Sequence, residues 1–247
     1  MNIQTRSYEV KNGKAFPPIK RYAWLLALVI GVAGMFYPLL GLPVPFIMAA
    51  LMGMSLFKGK YWCGNICPHG SFFDNLLQPV SRRMRVPEIL RSKTVVAAVL
   101  LVFMVSMALR FVRLFGAMDP GAFYERLGLI FASTYLMVLL IGGLLAVTIS
   151  PRAWCFFCPM GTLQGVLYKL GKALGLTKHS DEKVALTQPD HCRSCGKCSR
   201  ACAVQLEPYK NLSENGQFED ERCIRCRACT EKCPAGILHL VKPEERG

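Results

Sequence analysis

The chain has 247 residues, of which 52% are hydrophobic, with a formal net charge of +14 and 12 cysteines. That length and apolar content predict a bundle of membrane helices plus one small soluble domain, and exclude a purely soluble protein. The charge would mark a nucleic-acid binder if it formed a single stripe, so its distribution decides its meaning.

Residues 1–21 form a mostly polar segment, read as cytoplasmic. Four apolar segments follow at 22–40, 42–57, 94–109 and 127–149, none holding a charged residue. The first and last reach the roughly 20 residues that a bilayer requires, and the middle two borrow length by snorkelling from Lys58, Lys60, Lys93 or Arg110. No A-x-A-like site follows the first segment, which reads as an uncleaved anchor. Lys and Arg number 5 before the first span, 7 between the second and third, 3 between the third and fourth, and 15 after the last. Thus 27 of 30 fall on one side, which the positive-inside rule assigns to the cytoplasm together with both termini. Topology accounts for the charge, and no nucleic-acid partner is expected.

WCGNICPHG at 62–70 follows the second span and WCFFCPMG at 154–161 follows the fourth. The two stretches align as W-C, two or three residues, then C-P-x-G-[ST], each after one membrane hairpin. They predict two tandem hairpins related by a pseudo-twofold axis along the membrane normal, with both cysteine pairs at one depth. Pro68 and Pro159 are placed to open helices, because a first helical residue has no use for its N–H. In the second copy Leu163, Val166, Leu167, Leu170 and Leu174 recur at helical spacing, as in a helix lying in the interface. The first copy, with Phe72, Phe73, Leu76 and Leu77, is shorter. The membrane domain is read as 22–175 and the polar stretch 176–190 as a linker.

All twelve cysteines lie in segments assigned to the cytoplasmic side, where disulfide frameworks are rare and metal or redox chemistry is the expected use. Residues 191–247 form a cysteine-rich domain too small to build much core without its metal. It repeats C-x2-C-x2-C-x3-C as Cys192, Cys195, Cys198, Cys202 and Cys223, Cys226, Cys229, Cys233. On the pattern of bacterial two-cluster ferredoxins, three cysteines of a run hold one cubane while the fourth reaches across to the other. Cys192, Cys195, Cys198 and Cys233 are then expected to hold one 4Fe–4S cluster, and Cys223, Cys226, Cys229 and Cys202 the second. Lys197, Arg225 and Arg227 read as solvated surface charges, and Asn215-Gly216 as a turn in the insert between the runs.

Cys63, Cys67, Cys155 and Cys158 remain, one further set of four thiols. The lead expectation is a third cluster shared between the hairpins; the alternatives are a thiol/disulfide redox site and a zinc or copper site. Trp62 and Trp154 read as an aromatic belt or as packing, in preference to an electron-tunnelling role. His69 reads as structural, with metal ligation or a hydrogen bond to quinone as its functional alternatives. The spans hold no histidine, and Arg110, Arg113 and Arg126 of the outer loop read as solvated. No acid/base or nucleophile constellation stands out, so no catalytic residue is assigned.

Four spans, two W-C-x2-3-C-P-x-G elements and a carboxy-terminal two-cluster domain together resemble the NapH/MauN family of ferredoxin-type membrane proteins, from about residue 22 to 240. The membrane core is also similar to those of NosR and CcoG. The second pair, Cys155 to Cys158, is one residue shorter than the family's C-x3-C-P. The resemblance implies an all-α four-helix transmembrane domain of two tandem hairpins, plus a small α+β two-cluster ferredoxin-like domain, in a bacterial or archaeal inner membrane. It implies an electron relay between the quinone pool, or a cytoplasmic ferredoxin-like donor, and a partner redox enzyme. Enzymatically it would be at most a quinol dehydrogenase component of a larger complex. An assembly factor that reduces a metal or disulfide, and a membrane iron–sulfur sensor, are the other classes.

Overall fold

A computed structural model describes residues 18–116, 122–210, 212–213 and 216–241. The expected segment 1–21 up to residue 17, the Asp119-Pro120 part of the outer loop and Asn215 lie outside the described residues.

Four helical segments are long and apolar enough to cross a membrane: Pro18–Met35, Pro38–Lys58, Lys93–Gly116 and Phe123–Thr148. Their bounds differ from the hydropathy reading in instructive ways. Helix α1, Pro18–Gly31, opens four residues early on a proline and takes Lys20 into the segment. It does not run on to residue 40. Two 3-10 turns, Ala33–Met35 and Pro38–Gly41, replace the predicted helix end, since Pro38 has no N–H to give and its ring obstructs the preceding turn. Here Gly41 and Gly128 let two backbones touch: a methyl on either would overlap the other segment's carbonyl. Helix α2, Pro43–Lys58, ends at Gly59, whose φ of +56° breaks the helix. After the short helices α3, Tyr61–Asn65, α4, Pro68–Phe72, and α5, Glu88–Arg91, helix α6 spans Lys93–Gly116 and α7 spans Phe123–Thr148. Helix α6 continues past the predicted end at 109, because Arg110 and Arg113 sit in its last turns, where long cationic side chains reach the polar zone.

Helix α7 is the centre of the bundle. Ile30 of α1, Val44 of α2 and Phe131 of α7 make one small core, while Phe73, Ala146, Trp154 and Phe157 make another at the cysteine end. Helix α8, Pro159–Ala173, lies on α2, and Gly171 admits the Leu56 carbonyl at a place where a methyl would overlap it. Its opposite face exposes Val166, Leu170 and Leu174. Helix α6 is peripheral, with none of its most apolar window buried. Exposed Leu101, Val102, Leu140 and Leu144 on α6 and α7 present an apolar face of the kind that lipid covers.

Within the stretch 176–190, expected to be a linker, residues 183–186 form a strand of the cysteine-rich domain. Strand β1, Lys183–Leu186, pairs antiparallel with β2, Leu238–Val241, in the register Lys183 to Val241 and Leu186 to Leu238. Between them the two cysteine runs carry the one-turn helices α9, Lys197–Arg200, and α10, Ala228–Glu231. Each follows a left-handed residue, Gly196 at φ 68° and Arg227 at φ 62°. The core of this domain combines Val184, Leu206, Phe218, Ile224 and Leu238 with the buried cysteines Cys198, Cys226 and Cys229.

Candidate iron–sulfur sites

Three cavities are each lined by four cysteines. Cys192, Cys195, Cys198 and Cys233 border one of about 670 Å3, together with Gly196, Pro234 and Tyr209. Cys202, Cys223, Cys226 and Cys229 border a much tighter one of about 20 Å3, walled by Val204, Leu206, Phe218 and Ile224. The fourth cysteine of each run therefore sits with the first three of the other. Four thiols form the soft donor set that iron–sulfur chemistry uses, although the tighter cavity has to spread its side chains to admit anything larger than water. Among the described residues, no three His, Cys, Asp or Glu side chains are gathered as a site for a single metal ion. Burial pushes the Cys223 thiol up to about 11 and raises those of Cys202 and Cys229 as well, with neighbouring thiols adding to the effect. Such a group ionises when a cation arrives to offset the charge, so metal loading releases protons here.

Cys63, Cys67, Cys155 and Cys158 line the third cavity, of about 310 Å3, at the cysteine end of the bundle. Local structure explains why two separate stretches meet there. Cys67 and Cys158 have extended backbones with ψ of 120° and 124°, and each hands over to a helix that starts on Pro68 or Pro159. The remaining walls are largely apolar, including Val44, Leu51, Phe73 and Val138, with His69 and Tyr135 among them. His69 Nε2 lies 3.4 Å from the Tyr135 carbonyl oxygen, and burial lowers its pKa to about 4, so the imidazole is neutral near pH 7. Burial and the facing thiols raise Cys63 well above its ordinary value, and burial with Cys155 raises Cys158 to about 12.

A charged clamp that sequence reasoning missed holds this cavity. Arg152, two residues before the Trp154-Cys155 pair, is fully buried. Its Nε donates to Asp74 Oδ1 at 2.9 Å and its Nη2 to Asp74 Oδ2 at 2.6 Å. Its Nη1 donates to the Cys63 carbonyl at 3.0 Å and approaches Cys155 Sγ at 3.6 Å. Lys20 Nζ is 2.8 Å from Asp74 Oδ2, and Ser71 Oγ donates to the Lys20 carbonyl. Burial would raise the Asp74 carboxyl, but Arg152 and Lys20 outweigh it and hold the group well below the usual carboxylate range. Gly70 makes room for this arrangement: a methyl there would lie 2.8 Å from Cζ of Arg152. The alignment of the two stretches pairs Arg152 with Lys60 and Asp74 with Gly165, and Lys60 does pack beside Gly165. One half carries the ion pair, and the other has glycine at the position of the acid.

The cavity also carries hydrogen-bond donors without acceptors. Gln164, fully buried on α8, places Oε1 3.3 Å from Cys63 Sγ and leaves Nε2 with no partner. Trp154, expected in a belt or in packing, is 7% exposed and packs on Phe157, with its indole N–H lacking an acceptor. Buried orphan donors are costly and rare. Four thiols beside two such donors fit an electron-rich, thiolate-ligated group.

The cysteine-rich domain docks directly on this site. A methyl on Gly64, between Cys63 and Cys67, would overlap the Ile224 carbonyl and come 3.2 Å from Cβ of Cys226. Cys63 and Phe156 pack against the core containing Cys226 and Cys229. Arg225, expected to be a surface charge, is instead a buried anchor. It pairs with Asp181, donates to the Lys58 carbonyl that ends α2, and lies 5.1 Å from the Tyr168 ring centre. Asn65 Nδ2 reaches the Arg225 carbonyl at 3.3 Å. A second anchor is Gln205, which accepts from Val86 N–H and donates to the Met84 carbonyl, both at 3.0 Å. Lys197 forms the first turn of α9, and Arg227 reaches Glu182 at 3.4 Å on the surface. Arg110, Arg113 and Arg126 line a shallow depression at the far end of the bundle.

Comparison with known proteins agrees with this chemistry. A family model described as a 4Fe-4S binding domain matches residues 40–87 and again 133–177, each stretch holding one Cys-Pro pair. A 4Fe-4S dicluster domain model matches residues 171–237. A curated relative, Ferredoxin-3 of Nostoc sp. (strain PCC 7120), is 34% identical over 62 residues, 18% of this chain and 64% of the relative. The chain thus spans a little under two thirds of that relative's length. No solved structure matches. The two domain matches and the ferredoxin relative together support an iron–sulfur protein with ferredoxin-type 4Fe–4S domains, joined to four helices of membrane-spanning length.

Proposed function

We propose that this chain is a membrane electron-transfer protein carrying three 4Fe–4S clusters, related to NapH/MauN-type proteins. The first is held by Cys192, Cys195, Cys198 and Cys233, and the second by Cys223, Cys226, Cys229 and Cys202. Cys63, Cys67, Cys155 and Cys158 hold the third between two tandem hairpins. When bound, each cluster takes up and releases one electron. The observation that carries the reading is the contact of Gly64 with Ile224 and Cys226, which sets the membrane cysteine site directly against the second foursome.

The chain's own residues supply position and electrostatics. Gly64 keeps the two sites in van der Waals contact, and Arg225 and Gln205 fix the docked geometry. Arg152 and Lys20 set two cationic groups around the Asp74 carboxylate, beside a site that gains negative charge on reduction. The apolar wall around neutral His69 and Tyr135 suits a quinone headgroup and tail entering from the bilayer side of the same cavity. A partner redox protein, or a ferredoxin-like donor, exchanges electrons at exposed Cys195 and its surroundings. The charge distribution supports placing this domain and both termini on the cytoplasmic side of an inner membrane.

Anaerobically purified protein should show cluster EPR signals that appear on addition of a quinol analogue or of reduced ferredoxin. Signals that respond to neither contradict the relay.

A further inference from the structure

We propose that Gln164 donates a hydrogen bond to the Cys63 thiolate and thereby raises the reduction potential of the membrane four-cysteine centre. The proposal rests on the reading that Cys63, Cys67, Cys155 and Cys158 hold a cluster.

Gln164 is fully buried, with Oε1 3.3 Å from Cys63 Sγ and a buried Nε2 that has no partner. In that arrangement Cys63 is a thiol donating to the amide oxygen, and the amide N–H is orphaned. A thiolate ligand reverses the polarity, because it only accepts. A half-turn of the amide exchanges oxygen and nitrogen at almost no steric cost, and Nε2–H then points at Sγ. The orphaned donor is satisfied only when Cys63 is ionised. Gln164 therefore matches the loaded site better than the empty one.

The pseudo-repeat shows that packing alone does not call for an amide here. Gln164 lies five residues after Pro159, and Phe73 lies five residues after Pro68. Phe73 is equally buried and fills its place with hydrocarbon, between Gly142 and Trp154. Two of the other cysteines already have donors that do not depend on this side chain. Gly70 N–H reaches Cys67 Sγ at 3.4 Å, and Arg152 Nη1 reaches Cys155 Sγ at 3.6 Å. Cys158, at the N-terminus of α8, makes no capping bond through its sulfur. Cys63 is left to Gln164. Reduction adds negative charge that is shared with the sulfur ligands, so a donor at sulfur favours the reduced form and raises the potential.

The decisive variant is Gln164→Met, which keeps the volume and removes the amide. With the full chain in detergent, iron per chain should stay at the wild-type value. At a fixed ambient potential, the ratio of reduced to oxidised membrane centre should fall about tenfold, about 59 mV for a one-electron centre. The other two clusters should not move. Unchanged iron with an unmoved potential overturns the proposal. Should the variant lose the membrane centre, wild-type protein with 15N in its glutamine side chains decides instead, since Gln164 is the glutamine that lines this cavity. A 15N coupling to the reduced membrane centre in pulsed EPR is expected, and its absence overturns the proposal. A wild-type chain holding iron for only two clusters defeats the underlying reading, and this is seen before any variant is made.

Discussion

In the cysteine-rich domain the thiols are themselves the core, whereas at the membrane site they line a cavity that other residues build. Cys198, Cys226 and Cys229 are buried among Val184, Ile224 and Leu238, with a two-stranded sheet, two one-turn helices and a 3-10 turn around them among the described residues. The membrane cavity is framed by long helices, by the Arg152–Asp74–Lys20 clamp and by glycines at close approaches. The same ligand type thus sits in two mechanical settings. The small domain has little core besides its thiols to keep its shape without metal, and the membrane cavity is framed by helices and buried side chains other than its cysteines.

The sharpest way to break this comparison is to remove iron. Chelation under reducing conditions should abolish hydrogen-exchange protection across 183–241, while α1, α2, α7 and α8 keep theirs. Equal loss in both regions would show that the membrane site is no better framed than the domain. The next largest effect is expected from Asp74→Asn, which removes the carboxylate that buried Arg152 and Lys20 share and should cost about 3–5 kcal/mol of bundle stability. Thermal melting in detergent reads it, with the cysteine-rich domain's absorbance as the internal control. Because the folded Asp74 carboxyl lies below its ordinary value, its contribution is present above about pH 4 and is lost as the pH falls further. The Asn variant should lack that acid-side loss. Arg225→Lys, which cannot span Asp181, the Lys58 carbonyl and the Tyr168 ring at once, should weaken docking by about 1.5–3 kcal/mol. Faster exchange at residues 58–65 and 223–227, with both regions still folded, would show it.

Much of this molecule is legible in its sequence because the signals are local. Four apolar runs announce the helices, and Cys-Pro steps announce α4 and α8, since both depend on neighbours in the chain. The expected span ends fall short where a charge marks the boundary: Lys20 and Arg110 lie inside helices, where their side chains meet Asp74 and the Ser133 hydroxyl. The strand at 183–186 was hidden because four residues carry no period, and its partner lies at 238–241. The Arg152–Asp74 pair is separated by 78 residues and Gln164 from Cys63 by 101, so only the folded bundle makes them neighbours. Arg225 looked like solvated charge for the same reason.

Counting iron and acid-labile sulfide per chain in anaerobically purified protein, beside a Cys63→Ser, Cys155→Ser double variant, tests the central claim most directly. Three clusters predict about twelve irons in the wild type and about eight in the variant, with the cysteine-rich domain still folded. About eight in both would contradict the account.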